Sequence, residues 1–464
     1  MVERIHAMHI RRHKDAPLVI IHIHQYNKTY MERIHSTAIG GRVGQTVKLA
    51  GWAQAIRDQG GIMFIVLRDI TGTAQLVISG ELLEAARSIQ LESVIEVVGQ
   101  VATETKSHSG VEIQVSELTI LSMAEPELPI PVVEKSDAPT DQQIRLDWRF
   151  LDIRKPEKAL LFKVWTELER SFIEYCTEQE YIEIHSPKLM STPSEGGAEL
   201  FEVQYFERKA YLAQSPQFYK QMAMAGGFEK VFEIGPVFRA EPSSTPRHAT
   251  EFNGFDLEKS FITSHQDIIQ EEERLIVHAL TNIKTKYGEE IKRLYQRDVH
   301  IPVIPFPQLT VAQAKEILGK LGITSEKEGD LSPEEEREIS KYIKETHGHE
   351  FVFITEYPAS VRAFYHMRLE DKPDITKSFD LLWNGIEITT GAQREHRLEI
   401  LIRQAKEKGI GTESLQFYFD FFKYGCPPHG GFGAGPERMI MKLFGLDSIR
   451  EASYIYRGMK RLTP

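Results

Sequence analysis

The chain has 464 residues, enough for two to four domains with ample core. Hydrophobic residues make up 41% and charged residues 27%, and no apolar run reaches the roughly 20 residues that a bilayer span needs, so the composition excludes a helical membrane protein. A net charge of −11 counts against a generally basic nucleic-acid binder, but a local basic face is enough to meet phosphate. Cys176 and Cys426 lie far apart, which argues against a disulfide framework and fits a reducing cytoplasm.

Residues 1–34 read as an unordered or weakly ordered extension. His6, His9, His13, His22 and His24 crowd this segment, and imidazoles ligate metals, yet a loose tail is the simpler reading. Val2-Glu3-Arg4-Ile5-His6 nearly repeats as Met31-Glu32-Arg33-Ile34-His35, so a start at Met31 is also open. The apolar run Leu18–Ile23 is too short for a secretory signal.

From residue 35 to 122 the pattern is short strands: 47–52, 62–68, 73–78, 93–101 and 111–115. Five such strands predict a small barrel of the OB-fold type, which binds oligonucleotides across its strand face. Phe64 and Gln75 are candidates for stacking on and hydrogen-bonding to bases, with Arg57 on the preceding loop. The alternative for Phe64 is a core position. Residues 123–141 hold Pro126, Pro129, Pro131 and Pro139 and read as a hinge or linker.

The remainder, 142–464, reads as one large α+β domain. A helix is predicted over Lys158–Glu180, followed by a strand over Tyr181–Ile184. Ser194-Glu195-Gly196-Gly197 is a loop whose two glycines permit large backbone movement, so a carboxylate there suits closure over a ligand ammonium; the plainer reading is a surface turn. Gln217 and Lys220 place one amide and one cation at the start of a helix. Val231–Phe238 and Phe252–Glu258 flank a Pro/Ser/Thr-rich loop, the pattern of a long-looped hairpin. Arg239 and Glu241 end its first strand, and the loop adds Arg247 and His248 as further cations, a set suited to polyphosphate. Phe252 is positioned to stack on a purine; the plainer reading is a charged surface hairpin.

A long helix is predicted over Gln266–Tyr287 and two more within 308–348, with Glu334–Glu338 as a solvated helix face. Asp380 and Glu387 lie on apolar strands joined by a turn at Asn384-Gly385. Facing a triphosphate they suit Mg²⁺; otherwise they are buried partners of arginine. Gly430-Gly431-Phe432-Gly433-Ala434-Gly435-Pro436-Glu437-Arg438 is a glycine-rich strand opening a helix, where a backbone can approach a nucleotide.

Together these stretches resemble the class II aminoacyl-tRNA synthetases, and most of all the aspartyl-tRNA synthetases of archaeal and eukaryotic type, from about Gly41 to Pro464. Phe238-Arg239-Ala240-Glu241 with Arg247, His248 and Phe252 resembles motif 2, and Gly430–Arg438 resembles motif 3. The helix and strand before Pro187 resemble motif 1, which forms the dimer interface in that class. The fold implied is an N-terminal OB-fold β-barrel plus a catalytic domain built on an antiparallel sheet. The resemblance implies catalysis by Arg239 and Glu241, and ATP binding by these two with Arg247, His248, Phe252, Glu387, Gly435 and Arg438. It implies aspartate binding by Glu195, Gln217, Lys220, Asp256, Thr390 and Arg394, and Mg²⁺ held by Asp380, Glu387 and Thr390. Arg57, Phe64 and Gln75 would bind the anticodon. To choose aspartate over the near-isosteric asparagine, a pocket needs fixed positive charge, and Lys220 and Arg394 supply it.

The activity implied is ATP-dependent ligation of L-aspartate to tRNA(Asp), with tRNA(Asn) as a second acceptor open, by a cytoplasmic homodimer with no membrane association. The rivals are an asparaginyl-tRNA synthetase, disfavoured by Lys220, Arg394 and Asp256, and a catalytically altered paralogue that kept the fold. The paralogue draws on departures near the C-terminus, where Ile455-Tyr456-Arg457-Gly458 replaces the usual Phe-Pro-Arg-Asp, and on Ala434 and Pro436 in motif 3.

Overall fold

A computed structural model describes residues 31–104, 110–134, 139–192, 199–242, 245–325 and 327–464. The histidine-rich segment and Glu195 lie outside the described residues. The chain divides into two compact units, Met1–Leu128 and Pro129–Pro464, with the division inside the stretch read as linker.

In the first unit β1 (Thr46–Asp58), β2 (Ile62–Arg68), β3 (Thr73–Ser79), β4 (Val94–Thr103) and β5 (Val111–Ser122) close a barrel in the order β1-β2-β3-β5-β4. Helix α1 (Leu83–Arg87) sits between β3 and β4 in the chain. Strand alternation sends Leu49, Met63, Ile65, Leu76, Ile95 and Ile113 into the barrel core. Phe64 therefore points outward and is half-buried, so it is not a core residue. Strand β1 runs past Trp52 to Asp58, which puts Arg57 in a strand rather than on a loop. Residues 33–34 already belong to this unit, because the Ile34 amide donates to the Lys48 carbonyl at 2.9 Å.

The second unit opens with α2 (Gln142–Asp147), α3 (Arg149–Asp152) and α4 (Pro156–Glu178), the last with proline at its first turn. Short strands β6 (Ile182–Glu183), β7 (Leu189–Met190), β8 (Glu202–Tyr205) and β9 (Arg208–Leu212) precede α5 (Gln217–Ala225). The long-looped hairpin is β10 (Lys230–Phe238) and β11 (Glu251–Ser260), followed by α6 (His265–Tyr295). Then come β12 (Gln308–Thr310), α7 (Val311–Lys320), α8 (Pro333–His347), β13 (Phe351–Thr355), β14 (Ser378–Trp383) and β15 (Ile386–Gln393). The chain ends with α9 (Leu398–Glu407), α10 (Gln416–Lys423), β16 (His429–Ala434), α11 (Pro436–Phe444) and α12 (Ile449–Ala452). Asn384 and Gly385 both take positive φ at the β14–β15 turn, as a tight hairpin requires.

Eight strands form one sheet in the order β12-β13-β14-β15-β16-β11-β10-β6, parallel only at its two edge pairs. Phe232, Phe255, Leu257, Phe379, Leu381 and Phe432 turn one face toward α4 and α6 in the main core. Alternation along β11 sends Gly254, Asp256 and Glu258 to the opposite face. The acidic run on α8 departs from its expected solvation: Glu334 is exposed, but Glu335 and Glu336 are buried. Packing of Ile339 and Ile343 beneath the helix turns its first carboxylates inward.

Candidate active site

The register of the sheet lines up one row of residues. Asp380 on β14 faces Thr390 on β15, Thr390 faces Gly433 on β16, and Gly433 faces Asp256 on β11. Positions more than a hundred residues apart thus share one face. Above this row lies a cavity of about 380 Å³ lined by Gln217, Arg239, Glu241, Arg247, His248, Phe252, Asp256, Glu387, Thr390, Arg394, Gly435 and Arg438. Lys220 and Asp380 do not line it.

The β10–β11 hairpin supplies Arg239, the most exposed charge of the cavity. The Arg239 guanidinium stands over the Phe252 ring, 5.5 Å from its centroid, and 3.9 Å from Glu241. His248 Nε2 lies 3.5 Å from the other Glu241 oxygen, and Thr245 bonds its Nδ1. Burial, then Arg438 and Arg247, push the His248 imidazole down to about 4. His248 is therefore neutral near pH 7 and does not add the cation expected of it. The C-terminal departure packs directly beneath this loop: the Tyr456 hydroxyl donates to the His248 carbonyl at 3.2 Å, and the Thr250 amide donates to the Arg457 carbonyl at 3.0 Å.

Below the cavity is a layer of buried charge. Lys220 has no exposed surface; its Nζ lies 2.8 Å from Asp256 Oδ1 and 3.4 Å from Glu258 Oε2. Lys220, expected among the pocket residues, does not line the cavity: α5 packs on this face of the sheet and buries the ammonium against Asp256, which does line it. Glu258, not singled out from the sequence, joins the two cations. Arg394 Nε donates to its Oε1 at 3.0 Å and Nη2 to its Oε2 at 3.3 Å. Burial pushes the Glu258 carboxyl up, but Arg394 and Lys220 outweigh it and hold it below the usual range. Its strand parity with Asp256 on β11 was the available signal. Gln217 lines the cavity with its Nε2 buried and without a hydrogen-bond partner among the described residues. A buried donor of this kind is costly unless a ligand satisfies it.

The carboxylates on β14 and β15 differ. Asp380 Oδ2 accepts from Arg362 Nη2 at 2.6 Å, so it is a buried arginine partner. Burial raises its carboxyl to about 6 against the opposing pull of Arg362, with Glu387 adding repulsion. Glu387 faces the cavity, where Arg438 Nη1 and Thr390 Oγ1 each donate to its Oε1 at 3.2 Å. Among the described residues no group of three His, Cys, Asp or Glu could hold a metal alone. One cavity carboxylate with a second beside it still fits Mg²⁺, which binds through one or two carboxylates plus phosphate oxygens and water.

The glycines of β16 serve two ends. A Cβ on Gly431 would stand 2.0 Å from the Leu257 carbonyl oxygen and 2.4 Å from Glu258 Oε2, so this glycine makes room for the buried charge layer rather than for a ligand. Gly435, between β16 and α11, is open, with only Arg438 near at 3.8 Å.

On the barrel, Arg57 faces Phe64 across β1 and β2, Phe64 faces Val77 across β2 and β3, and Gln75 faces Val66. All lie on the outer face. Gln75 Nε2 donates to Glu112 Oε2 at 2.9 Å, and Gln114 Nε2 to Glu112 Oε1 at 2.7 Å. Glu112 on β5 thus joins the face; nothing in its local pattern marked it, since β5 reaches β3 only through barrel closure.

The family described as tRNA synthetases class II (D, K and N) matches residues 141–455, and the OB-fold nucleic acid binding domain matches residues 47–121. The aspartate–tRNA(Asp) ligase of Pyrococcus abyssi is 42% identical over 91% of this chain and 97% of its own. The aspartate–tRNA(Asp/Asn) ligase of Aeropyrum pernix is 43% identical over 91% and 96%. Among solved structures, asparaginyl-tRNA synthetase from Pyrococcus horikoshii with asparaginyl-adenylate aligns at TM-score 0.86 and 31% identity, covering 94% of this chain and 100% of that one. Aspartyl-tRNA synthetase from Entamoeba histolytica aligns at TM-score 0.84 and 31% identity, covering 94% of each.

Proposed function

This chain belongs to the class II aminoacyl-tRNA synthetases, and within that family we propose the following reading of its site. The protein is an aspartate–tRNA ligase: it activates L-aspartate with ATP and esterifies tRNA(Asp) with it. The observation that carries the reading is the single cavity, which joins a set of charges suited to a triphosphate with a second set, built around Arg394 and Gln217, suited to a small amino acid.

In the first step an oxygen of the aspartate α-carboxylate attacks the α-phosphorus of ATP. The bond to the bridging oxygen of the β-phosphate breaks, and pyrophosphate leaves. Arg239 stabilises the charge that grows on the α-phosphate, with Glu241 holding His248 and Arg239 in place. Phe252 stacks on the adenine, and Arg247 and Arg438 meet the remaining phosphates. Glu387 and Thr390, with Asp380 behind them, would hold Mg²⁺, which neutralises phosphate charge when bound. Arg394 pairs with the aspartate side-chain carboxylate, and the Gln217 amide gains its missing acceptor. Asp256 lines the same end of the cavity, and Lys220 acts from behind it, holding the Asp256 carboxylate in place. Glu195, outside the described residues, would meet the α-ammonium. In the second step a hydroxyl of the terminal ribose of tRNA attacks the acyl carbon, and AMP leaves. No side chain serves as a covalent nucleophile.

The barrel face of Arg57, Phe64, Gln75 and Glu112 binds the anticodon. The protein works as a cytoplasmic homodimer; among the described residues no helix is long and apolar enough to cross a membrane. Partly exposed Met222 and Phe228, beside Ile184, Pro187 and Tyr219, border an apolar groove next to edge strand β6, which supports a partner copy there.

The test is charging of purified tRNA(Asp) and tRNA(Asn) with labelled aspartate, side by side. Labelling of tRNA(Asp) alone defines a discriminating enzyme, and labelling of both defines a two-tRNA enzyme like the named Aeropyrum relative. Labelling of neither overturns the reading in favour of the altered paralogue. Arg239→Ala should reduce aspartate-dependent pyrophosphate exchange by orders of magnitude, about the effect of removing a transition-state charge donor; near-normal exchange sinks that role.

A further inference from the structure

Helix α8 opens with a capping box: the Glu335 amide donates to Ser332 Oγ at 3.3 Å, and the Ser332 amide donates to Glu335 Oε2 at 2.7 Å. Lys315 Nζ adds a donor to Glu335 Oε1 at 2.7 Å. Capping thus employs Glu335 fully. Glu336, one residue on, is buried without any part in the cap. Its Oε2 accepts instead from Arg247 Nη1 at 2.5 Å. Arg247 lies 89 residues earlier, on the β10–β11 loop. Arg247 lines the cavity and Glu336 does not.

Two further observations place α8 behind the nucleotide side of the cavity. The helix is fixed by Ile339 and Ile343, which pack with Leu331, Val352, Ile354 and Leu382. Its next residue, Arg337, supports the β14–β15 turn, where a Cβ on Gly385 would stand 2.9 Å from Arg337 Cα. That turn leads directly into Glu387. Arg438, Lys442 and Glu387 all lie near enough to act electrostatically on Glu336 or to be acted on by it. One rigid helix therefore backs both a cavity carboxylate and a loop cation.

We propose that Glu336 is a positioning residue for ATP: it holds Arg247 against α8 so that the guanidinium is presented to the β- and γ-phosphates before the nucleotide arrives. A loop arginine carries large rotamer freedom, and fixing it in the free protein removes an ordering cost from binding. Arg is suited to this double duty, because its planar fork bonds a carboxylate along one edge and leaves other N–H groups directed elsewhere. The inference rests on the assignment of the cavity to ATP.

The test measures equilibrium binding of ATP and of AMP to the full chain and to Glu336→Ala, Arg247→Ala and the double variant. Glu336→Gln serves as the conservative variant that keeps an acceptor. Glu336→Ala should raise the Kd for ATP about tenfold and leave that for AMP unchanged, because AMP lacks the outer phosphates. Glu336→Gln should recover part of the loss. In the Arg247→Ala background, Glu336→Ala should add nothing, since it acts through Arg247. An unmoved Kd for ATP, equal weakening of ATP and AMP, or fully additive effects would each overturn the proposal. Wild-type protein that binds ATP but fails at aspartate-dependent exchange would sink the ligase reading, while the comparison of ATP with AMP would still report on Glu336.

Discussion

Arg394 and Glu258 form a two-point ion pair with almost no exposed surface, Nε to Oε1 at 3.0 Å and Nη2 to Oε2 at 3.3 Å. Lys220 sits 3.4 Å from the same carboxylate, so one buried anion holds two buried cations. Breaking a buried pair from one side leaves uncompensated charge. Glu258→Ala should lower unfolding stability by about 3–5 kcal/mol, read from urea denaturation. Glu258→Gln, which keeps an acceptor, should cost less. Equal stability of Glu258→Ala and wild type would show that the pair is not the keystone of the floor.

Gln217 gives the opposite sign. Its Nε2 is buried in the cavity wall with no partner among the described residues. Gln217→Met removes that unmet donor at similar volume. The expected result is a gain in stability on the order of 1 kcal/mol. The same change should raise the aspartate KM in pyrophosphate exchange about tenfold or more, because the ligand loses its donor, while the ATP KM stays put. A fall in stability would mean that the amide is already satisfied within the protein.

Glu437, on the first turn of α11, is pushed by burial up to about 7. Its folded value lies above its ordinary value of 4.5, so ionisation opposes the fold. The penalty is absent below the unfolded value, grows as pH rises through the interval, and is complete above the folded value. Glu437→Gln imitates the protonated form. At about pH 8 it should be more stable than wild type by on the order of 1–3 kcal/mol, and near pH 4 the two should coincide. Thermal melts at the two pH values measure the difference; a constant offset at both would refute the titration.

Phe64 on the outward face of the barrel separates the two steps of the reaction. Stacking of a base on an aromatic contributes about 1–3 kcal/mol, so Phe64→Ala should raise the tRNA KM about tenfold or more. Pyrophosphate exchange needs no tRNA and should be unchanged. A parallel fall in exchange would point to a misfolded chain, and an unchanged tRNA KM would remove Phe64 from the anticodon face.

The alternation of Ile62–Arg68 and Thr73–Ser79, the turn at Asn384-Gly385, and the spacing of Arg239, Arg247, His248 and Phe252 each depend on neighbours within a few residues. The sequence therefore sufficed for the five-stranded barrel and the long-looped hairpin. Burial and charge pairing depend on partners far along the chain. Lys220 reads as a pocket cation until α5 is seen to bury it against Asp256 and Glu258. His248 reads as a cation until packing beside Arg247 and Arg438 makes it neutral. Glu336 reads as solvated until α8 turns it toward Arg247. Residue type and local period set which elements form and what chemistry they carry. Only the tertiary structure decided which of those charges meet the cavity and which neutralise one another beneath it, because a charge takes its state from its surroundings rather than from its own position in the chain.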